Sequence, residues 1–396
     1  MSLADTPRSN RLHIGIFGKR NSGKSSLVNA LTNQQVALVS DIAGTTTDPV
    51  YKTMEIHGIG PVVFIDTAGF DDIGELGEMR VSKTREALEK TDVALLVFGD
   101  NDITKEKQWF DLFQKSNVTV ILVINKSDVL EAPQKLSGLI AEEFGMEPLL
   151  VSAKTGEGIQ KIRERLIRSL PEDYEKPDIV GHLVQPKDLV LLVMPQDIQA
   201  PKGRLILPQV QTIRDLLDHK ALVVSCTTDC LDATLSALAY PPKLIITDSQ
   251  VFKTVYEKKP KESLLTSFSV LFAEYKGDIE AFVSGAKAID NLTEESHVLI
   301  AEACTHAPLT EDIGREKIPR LLRQKVGNGL TIDMVSGTDF PNDLSKYDLI
   351  IHCGACMFNR KYVLSRVEHA REQKVPITNY GVAIAKLMGI LDKITY

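Results

Sequence analysis

Gly18-Lys19-Arg20-Asn21-Ser22-Gly23-Lys24-Ser25 is the stretch that decides the first fold. The apolar run Leu12–Phe17 leads into it, and Ser26–Leu31 continues as a helix. A strand, a loop bounded by glycines and a helix, in that order, turn backbone N–H groups toward a phosphate. Gly18 and Gly23 let the backbone curl. Lys24 supplies a cation for the β and γ phosphates, the Ser25 hydroxyl suits Mg²⁺, and Ser26 follows on the same turn.

Three more segments arrive downstream in matching order. The run Val62–Ile65 ends in Asp66-Thr67-Ala68-Gly69, where the carboxylate can join the Mg²⁺ shell and the Gly69 N–H can sense a γ-phosphate. The run Val120–Ile124 ends in Asn125-Lys126-Ser127-Asp128. The Asp128 carboxylate accepts from the two N–H donors of guanine, and leaving it unpaired against adenine would cost about 1–3 kcal/mol. Ser152-Ala153-Lys154 follows Leu149–Val151 and completes the base pocket, with the Ala153 N–H toward the guanine oxygen. GTP and Mg²⁺ are therefore expected, with Lys24, Thr46, Asp66 and Gly69 as the hydrolytic set. Phe70 stands where Ras-like enzymes carry a water-orienting Gln. Asn21 matches the Asn that holds K⁺ in GTPases of the Era and tRNA-modification type. Gly44-Thr45-Thr46-Thr47-Asp48 is similar to their switch segment, with Thr47 replacing an Arg. Slow, K⁺-activated hydrolysis is the expectation, with Thr46 as the Mg²⁺-sensing threonine.

The chain has 396 residues, 43% hydrophobic and 25% charged, with a net charge of −7. That length suggests two or three domains, and the acidic balance argues against bulk nucleic-acid binding. Neither a cleavable leader pattern nor a membrane-spanning apolar run is visible, and five cysteines is an odd count, so a cytoplasmic protein is expected. Ile159, Ile162, Leu166, Ile167 and Leu170 read as one buried helical face, and Pro171, Pro177 and Pro186 punctuate a linker. Strands at Leu189–Met194, Ala221–Ser225 and Leu244–Thr247 alternate with helices at Gln209–Asp218 and Leu231–Ala239. Cys226 and Cys230 lie in this part without a nearby His or third Cys, and read as buried or half-buried free thiols. From Ser267 a further alternation begins, with strands His297–Ala303, Leu330–Val335, Tyr347–His352 and Val375–Thr378. The class is α/β. A P-loop GTPase domain (1–172) precedes a linker with a small α/β dimerisation domain (173–266) and a doubly wound parallel sheet carrying a metal site (267–396).

Cys304-Thr305-His306 and His352-Cys353-Gly354-Ala355-Cys356 carry the remaining chemistry. Thiolates gathered in a reducing compartment suit iron–sulfur or zinc. Cys304 and Cys353 each follow the carboxyl end of an expected strand, where ligands collect in open α/β sheets, and Cys356 precedes a helix. Three thiolates leave a fourth position to His306, His352, Glu302 or an external ligand. On the residues alone, a Cys₃His zinc site and an iron–sulfur cluster stand level. Arg315, Lys317, Arg320, Arg323, Arg360 and Lys361 make either a solvated face or an anion pocket.

The guanine set joined to C-x-H…H-C-x-x-C resembles the GTPase maturase of FeFe-hydrogenase, the HydF family, over essentially the whole chain. The resemblance implies a 4Fe–4S cluster on Cys304, Cys353 and Cys356 with a labile fourth position, for which His306 is a possible ligand. It implies a diiron precursor as cargo, radical-SAM hydrogenase maturases and apo FeFe-hydrogenase as partners, and a homodimer. The rival is an RNA-linked GTPase of tRNA modification or ribosome assembly with a structural zinc. The acidic balance and the lack of a KH-type module count against it.

Overall fold

The computed structural model describes residues 8–32, 49–56, 59–71, 75–170, 178–195, 205–303, 313–337, 339–355 and 358–396. It divides into two compact units, Met1–Lys176 and Pro177–Tyr396.

The first unit runs β1 (Leu12–Gly18), α1 (Lys24–Thr32), β2 (Val50–Ile56), β3 (Gly60–Asp66), α2 (Glu75–Leu88) and β4 (Val93–Phe98). It continues with α3 (Thr104–Lys115), β5 (Thr119–Ile124), α4 (Pro133–Phe144), β6 (Leu149–Leu150) and α5 (Ile159–Arg168). The six-stranded sheet has the order β2-β3-β1-β4-β5-β6, with only β2 antiparallel to its neighbour. Every residue of β1 and β4 is buried, as expected of strands covered on both faces. Side chains alternate across the sheet: Val93, Leu95 and Val97 join one core, and Ala94, Leu96 and Phe98 the other. On α5, Ile159, Ile162 and Leu166 are buried and Leu170 packs beside them, but Ile167 is exposed. One helical step past Leu166 rotates it by about 100°, off the apolar stripe.

The second unit holds two four-stranded parallel sheets. The first contains β7 (Leu189–Val193), α6 (Leu207–Asp218), β8 (Leu222–Cys226), α7 (Leu231–Ala237), β9 (Leu244–Thr247), α8 (Phe252–Lys258) and β10 (Leu264–Ser267). After α9 (Phe268–Lys276) and α10 (Ile279–Ala286) come β11 (His297–Glu302), α11 (Ile318–Val326), β12 (Thr331–Ser336) and β13 (Leu349–His352). The chain ends with α12 (Arg360–Glu372), β14 (Ile377–Asn379) and α13 (Tyr380–Leu387). The strand orders are β10-β9-β7-β8 and β12-β11-β13-β14. Both read second, first, third, fourth in chain order, so each sheet reverses direction between its first and third strands, the doubly wound pattern.

One apolar core spans the two sheets: Leu191, Val193 and Ile245 share it with Val298, Ile300 and Ile351. Alternate residues of the same β7, Val190 and Leu192, face a second cluster with Phe268, Leu271 and Phe272 of α9. Helix α9 also sends Val270 and Ala273 into the first core, so it is apolar on several faces and lies between layers. The edge strands β8 and β12 are the exposed ones, with Leu222 at 47% and Met334 at 39% exposure. Cys226 is half-buried and its thiol is pushed up by burial, while Cys230 is exposed rather than half-buried, since it sits on a surface turn before α7. Among the described residues no helix is long and apolar enough to cross a membrane.

Candidate functional site

The phosphate loop joins β1 to α1. Asn21 at its turn takes a left-handed φ of 57°, which Asn tolerates better than most residues, and its side chain is exposed. Gly23 has φ 87°, and a Cβ there would meet Asn125 Nδ2 at 2.3 Å, so no larger residue fits. The Lys24 ammonium is buried and donates to the Gly18 and Lys19 carbonyls at 2.9 and 2.8 Å. It thereby braces the loop from within. Ser25 and Ser26 are half-buried on the first turn of α1.

Asp66 ends β3 at 1% exposure. Burial pushes its carboxyl up, while the Ser25 hydroxyl and the charges of Lys24 and Lys52 pull it down. Its Oδ1 has no hydrogen-bond partner among the described residues. A buried carboxylate oxygen left open beside a serine hydroxyl fits a divalent cation, because an ion would satisfy both oxygens. Gly69 approaches the loop so closely that a Cβ would lie 2.7 Å from the Arg20 nitrogen. Phe70 turns inward, 4% exposed, with its ring stacked on Trp109 at 5.2 Å, and Trp109 stacks in turn on Phe17 at 5.9 Å. Thr46 lies outside the described residues.

The base pocket is cross-tied. Asn125 Nδ2 donates to the Ser22 carbonyl at 3.0 Å and its Oδ1 accepts from the Ala153 N–H at 3.0 Å. One amide thus links the phosphate loop to the last base-binding segment, and the Ala153 N–H is engaged by it in this conformation. Ser152 Oγ donates to Asp128 Oδ1 at 2.7 Å, which orients an exposed carboxylate. Lys126, half-buried, takes a left-handed φ of 61° between them.

Cys353 follows β13, and β13 lies parallel to β11 with His352 opposite Ala301. This is the point where the strand order of its sheet reverses. The Cys353 Sγ is half-buried and accepts the N–H groups of Ala303 at 3.0 Å and Ala355 at 3.4 Å. Ala355 bends the chain around the sulfur with φ 45°. Amide N–H groups aimed at a sulfur stabilise the thiolate, the form that binds metal. Cys304 is the residue after Ala303; Cys304, His306 and Cys356 lie outside the described residues. The cradled Cys353 sulfur suits a thiolate ligand of a metal or cluster.

Two of the other fourth-ligand candidates are engaged elsewhere. Glu302 is paired with Arg315 at 3.0 Å and accepts from Ser336 Oγ at 3.2 Å. His352 is 1% exposed; its Nδ1–H donates to the Cys353 carbonyl at 2.7 Å and its Nε2 accepts from Arg366 at 3.0 Å. Burial and the Arg366 charge hold its pKa down to about 3, so the ring is neutral. The basic residues do not form one pocket either. Arg315 is neutralised by Glu302, and Arg360 caps α9 by donating to the Glu274, Tyr275 and Gly277 carbonyls. Arg320 and Arg323 are exposed, Lys361 is half-buried, and Lys317, also half-buried, has its pKa lowered by desolvation. Arg366 itself carried no motif; one arginine among the several basic residues of α12 gives no sequence signal.

Comparison with known families and proteins gives three family matches. Residues 179–277 match a hydrogen maturase F dimerization domain and residues 280–395 a hydrogen maturase F tetramerization domain. Residues 13–126 match a 50S ribosome-binding GTPase domain. The chain is 34% identical over 190 residues to the tRNA modification GTPase MnmE of Endomicrobium trichonymphae, 46% of this chain and 40% of that one. It is 38% identical over 171 residues to GTPase Der of Wolinella succinogenes, 40% of this chain and 35% of that one. It therefore spans well under half the length of these relatives.

Proposed function

This chain belongs to the hydrogen maturase F family, and on that premise we propose that it is a GTP-hydrolysing scaffold and carrier. It would hold a 4Fe–4S cluster and a diiron precursor, and pass the precursor to apo FeFe-hydrogenase. The radical-SAM maturases would be its other partners. One observation supports this above the rest: a cradled Cys353 sulfur lies at the switch point of a parallel sheet, in a chain that also has a cross-tied guanine pocket. MnmE and Der are named for tRNA and GTPase roles, which favours the RNA-linked reading for the nucleotide unit alone. The two hydrogen maturase F matches cover more than half of the chain and outweigh it.

Each residue has a task in this reading. Ser25, Asp66 and Thr46 would hold Mg²⁺, which neutralises phosphate charge. Lys24 steadies the β and γ phosphates, and Gly69, packed against the phosphate loop, would turn its N–H to the γ-phosphate. Asp128, oriented by Ser152, selects guanine. Cys304, Cys353 and Cys356 would hold the cluster, a site able to store an electron and offer an exchangeable iron position. With Glu302 and His352 engaged, that position falls to His306 or an external ligand. The domain matches make the chain an oligomer-forming protein, and the exposed edge of β8 is the surface we assign to a homodimer, since paired edges satisfy their open backbone groups.

The test is an anaerobic iron, sulfide and zinc analysis with EPR of the reduced protein. Iron and sulfide in 4Fe–4S proportion support the carrier; zinc alone returns the RNA-linked reading. Hydrolysis is also expected to need K⁺. Phe70 is locked against Trp109 and cannot orient water, and Asn21, on the left-handed turn of the phosphate loop, would ligate a monovalent cation. The rate in KCl should exceed that in NaCl by roughly tenfold or more, a charge-stabilisation effect on the transition state, and Asn21→Ala should erase the difference. Equal rates in both salts would remove K⁺ from the site.

A further inference from the structure

Arg366 of α12 is 3% exposed. Its guanidinium lies over the Phe340 ring at 4.8 Å and the Tyr362 ring at 4.4 Å. It donates to His352 Nε2, to the Gly337 carbonyl and to the Tyr362 hydroxyl, while its own Nε stays buried without a partner among the described residues. Among the described residues no carboxylate pairs with it. A guanidinium cannot give up its proton, so this is a fixed positive charge in a low-dielectric layer, and such a charge is costly unless an anion compensates it.

The direction in which it acts is set by hydrogen-bond logic. Arg366 can only donate, so His352 Nε2 must be the acceptor and Nδ1 must carry the proton. That proton goes to the carbonyl of Cys353, whose sulfur is held by the N–H groups of Ala303 and Ala355. From cation to sulfur-bearing residue the relay has one link, His352.

We propose that Arg366 is the buried counter-charge of the metal centre on Cys353, a positioning residue that acts through His352 and raises the reduction potential of that centre. The inference rests on the carrier reading above. One electron from an external low-potential donor adds one negative charge at the thiolate site, with no bond made or broken. A fixed cation nearby stabilises that reduced state more than the oxidised one, and does so strongly where water is excluded. Outer partners of this kind also fix ligand orientation.

The experiment is an EPR-monitored redox titration of the anaerobically reconstituted full chain, for wild type, Arg366→Gln and Arg366→Lys. Arg366→Gln should lower the equilibrium constant for reduction by about tenfold, equal to about 59 mV for a one-electron couple. Arg366→Lys, which keeps the charge, should stay closer to wild type. An Arg366→Gln protein with full iron and sulfide and an unmoved potential overturns the proposal. If that variant does not hold metal, His352→Gln decides, because its amide can still accept from Arg366 and donate to the Cys353 carbonyl. An unchanged EPR signal and potential support the relay; a changed signal or lost iron makes His352 a ligand and overturns it. The His352 tautomer, read by ¹⁵N NMR in metal-free protein, gives an arm independent of the cluster. A proton on Nε2 instead of Nδ1 overturns the relay, whereas a wild-type chain that takes up no iron and sulfide overturns the carrier reading itself.

Discussion

Cys353→Ser is expected to yield a protein that hydrolyses GTP at near the parental rate and assembles almost no cluster. A serine hydroxyl does not ionise near neutral pH, so the two N–H groups now aimed at the sulfur would meet a neutral, hard oxygen. Two cysteines cannot hold a cubane firmly. Loss of an outer-shell partner alone costs about 10–100-fold in metal affinity, and loss of a ligand should exceed that. Cys304→Ser and Cys356→Ser should behave alike. Hydrolysis should persist because Lys24, Asp66 and Asp128 belong to a separate compact unit. Iron and sulfide content beside phosphate release from the same preparation checks both halves. Wild-type iron content in Cys353→Ser would dismiss this cysteine as a ligand.

The reverse separation is expected from Lys24→Ala. The ammonium holds the Gly18 and Lys19 carbonyls and would lie beside the phosphates, so its removal takes away loop bracing and charge stabilisation together. Loss of one pre-placed donor at developing negative charge typically costs about 10²–10³-fold in rate. The variant should still assemble its cluster, since Cys353 and the Ala303 and Ala355 N–H groups that hold its sulfur belong to the second unit. If nucleotide turnover governs partner exchange, the yield of active hydrogenase falls although the cargo site is intact. Single-turnover phosphate release within threefold of wild type would place the catalytic charge elsewhere. Cluster loss in Lys24→Ala would mean that the two units depend on each other for folding.

Much of this was legible in the chain because the nucleotide motifs are local. Each motif starts at or just past the end of an apolar strand, and those strands were found where expected. That Cys353 follows the carboxyl end of a strand was legible too, whereas the strand order that makes this end a switch point belongs to the fold. The short elements were harder: β10 is only Leu-Leu-Thr-Ser, and α8 and α10 have too few turns to show a period. Ile167 was misplaced because adjacent apolar residues on a helix point about 100° apart. His352 and Glu302 could not be removed as ligand candidates from sequence. What engages them, Arg366 and Arg315, lies 14 and 13 residues away in the chain and meets them only through the fold.

Trp109 is the single tryptophan of the chain, and it lies against Phe70, the residue directly after Gly69. Indole emission from the unlabelled protein therefore comes from one ring, pressed on the segment we assign to γ-phosphate sensing. Nature has in effect supplied a built-in optical gauge: stopped-flow fluorescence can time the movement of that segment without a dye. The same trace can be followed while iron or the proposed partners are added, so any coupling to the second unit becomes a matter of kinetics.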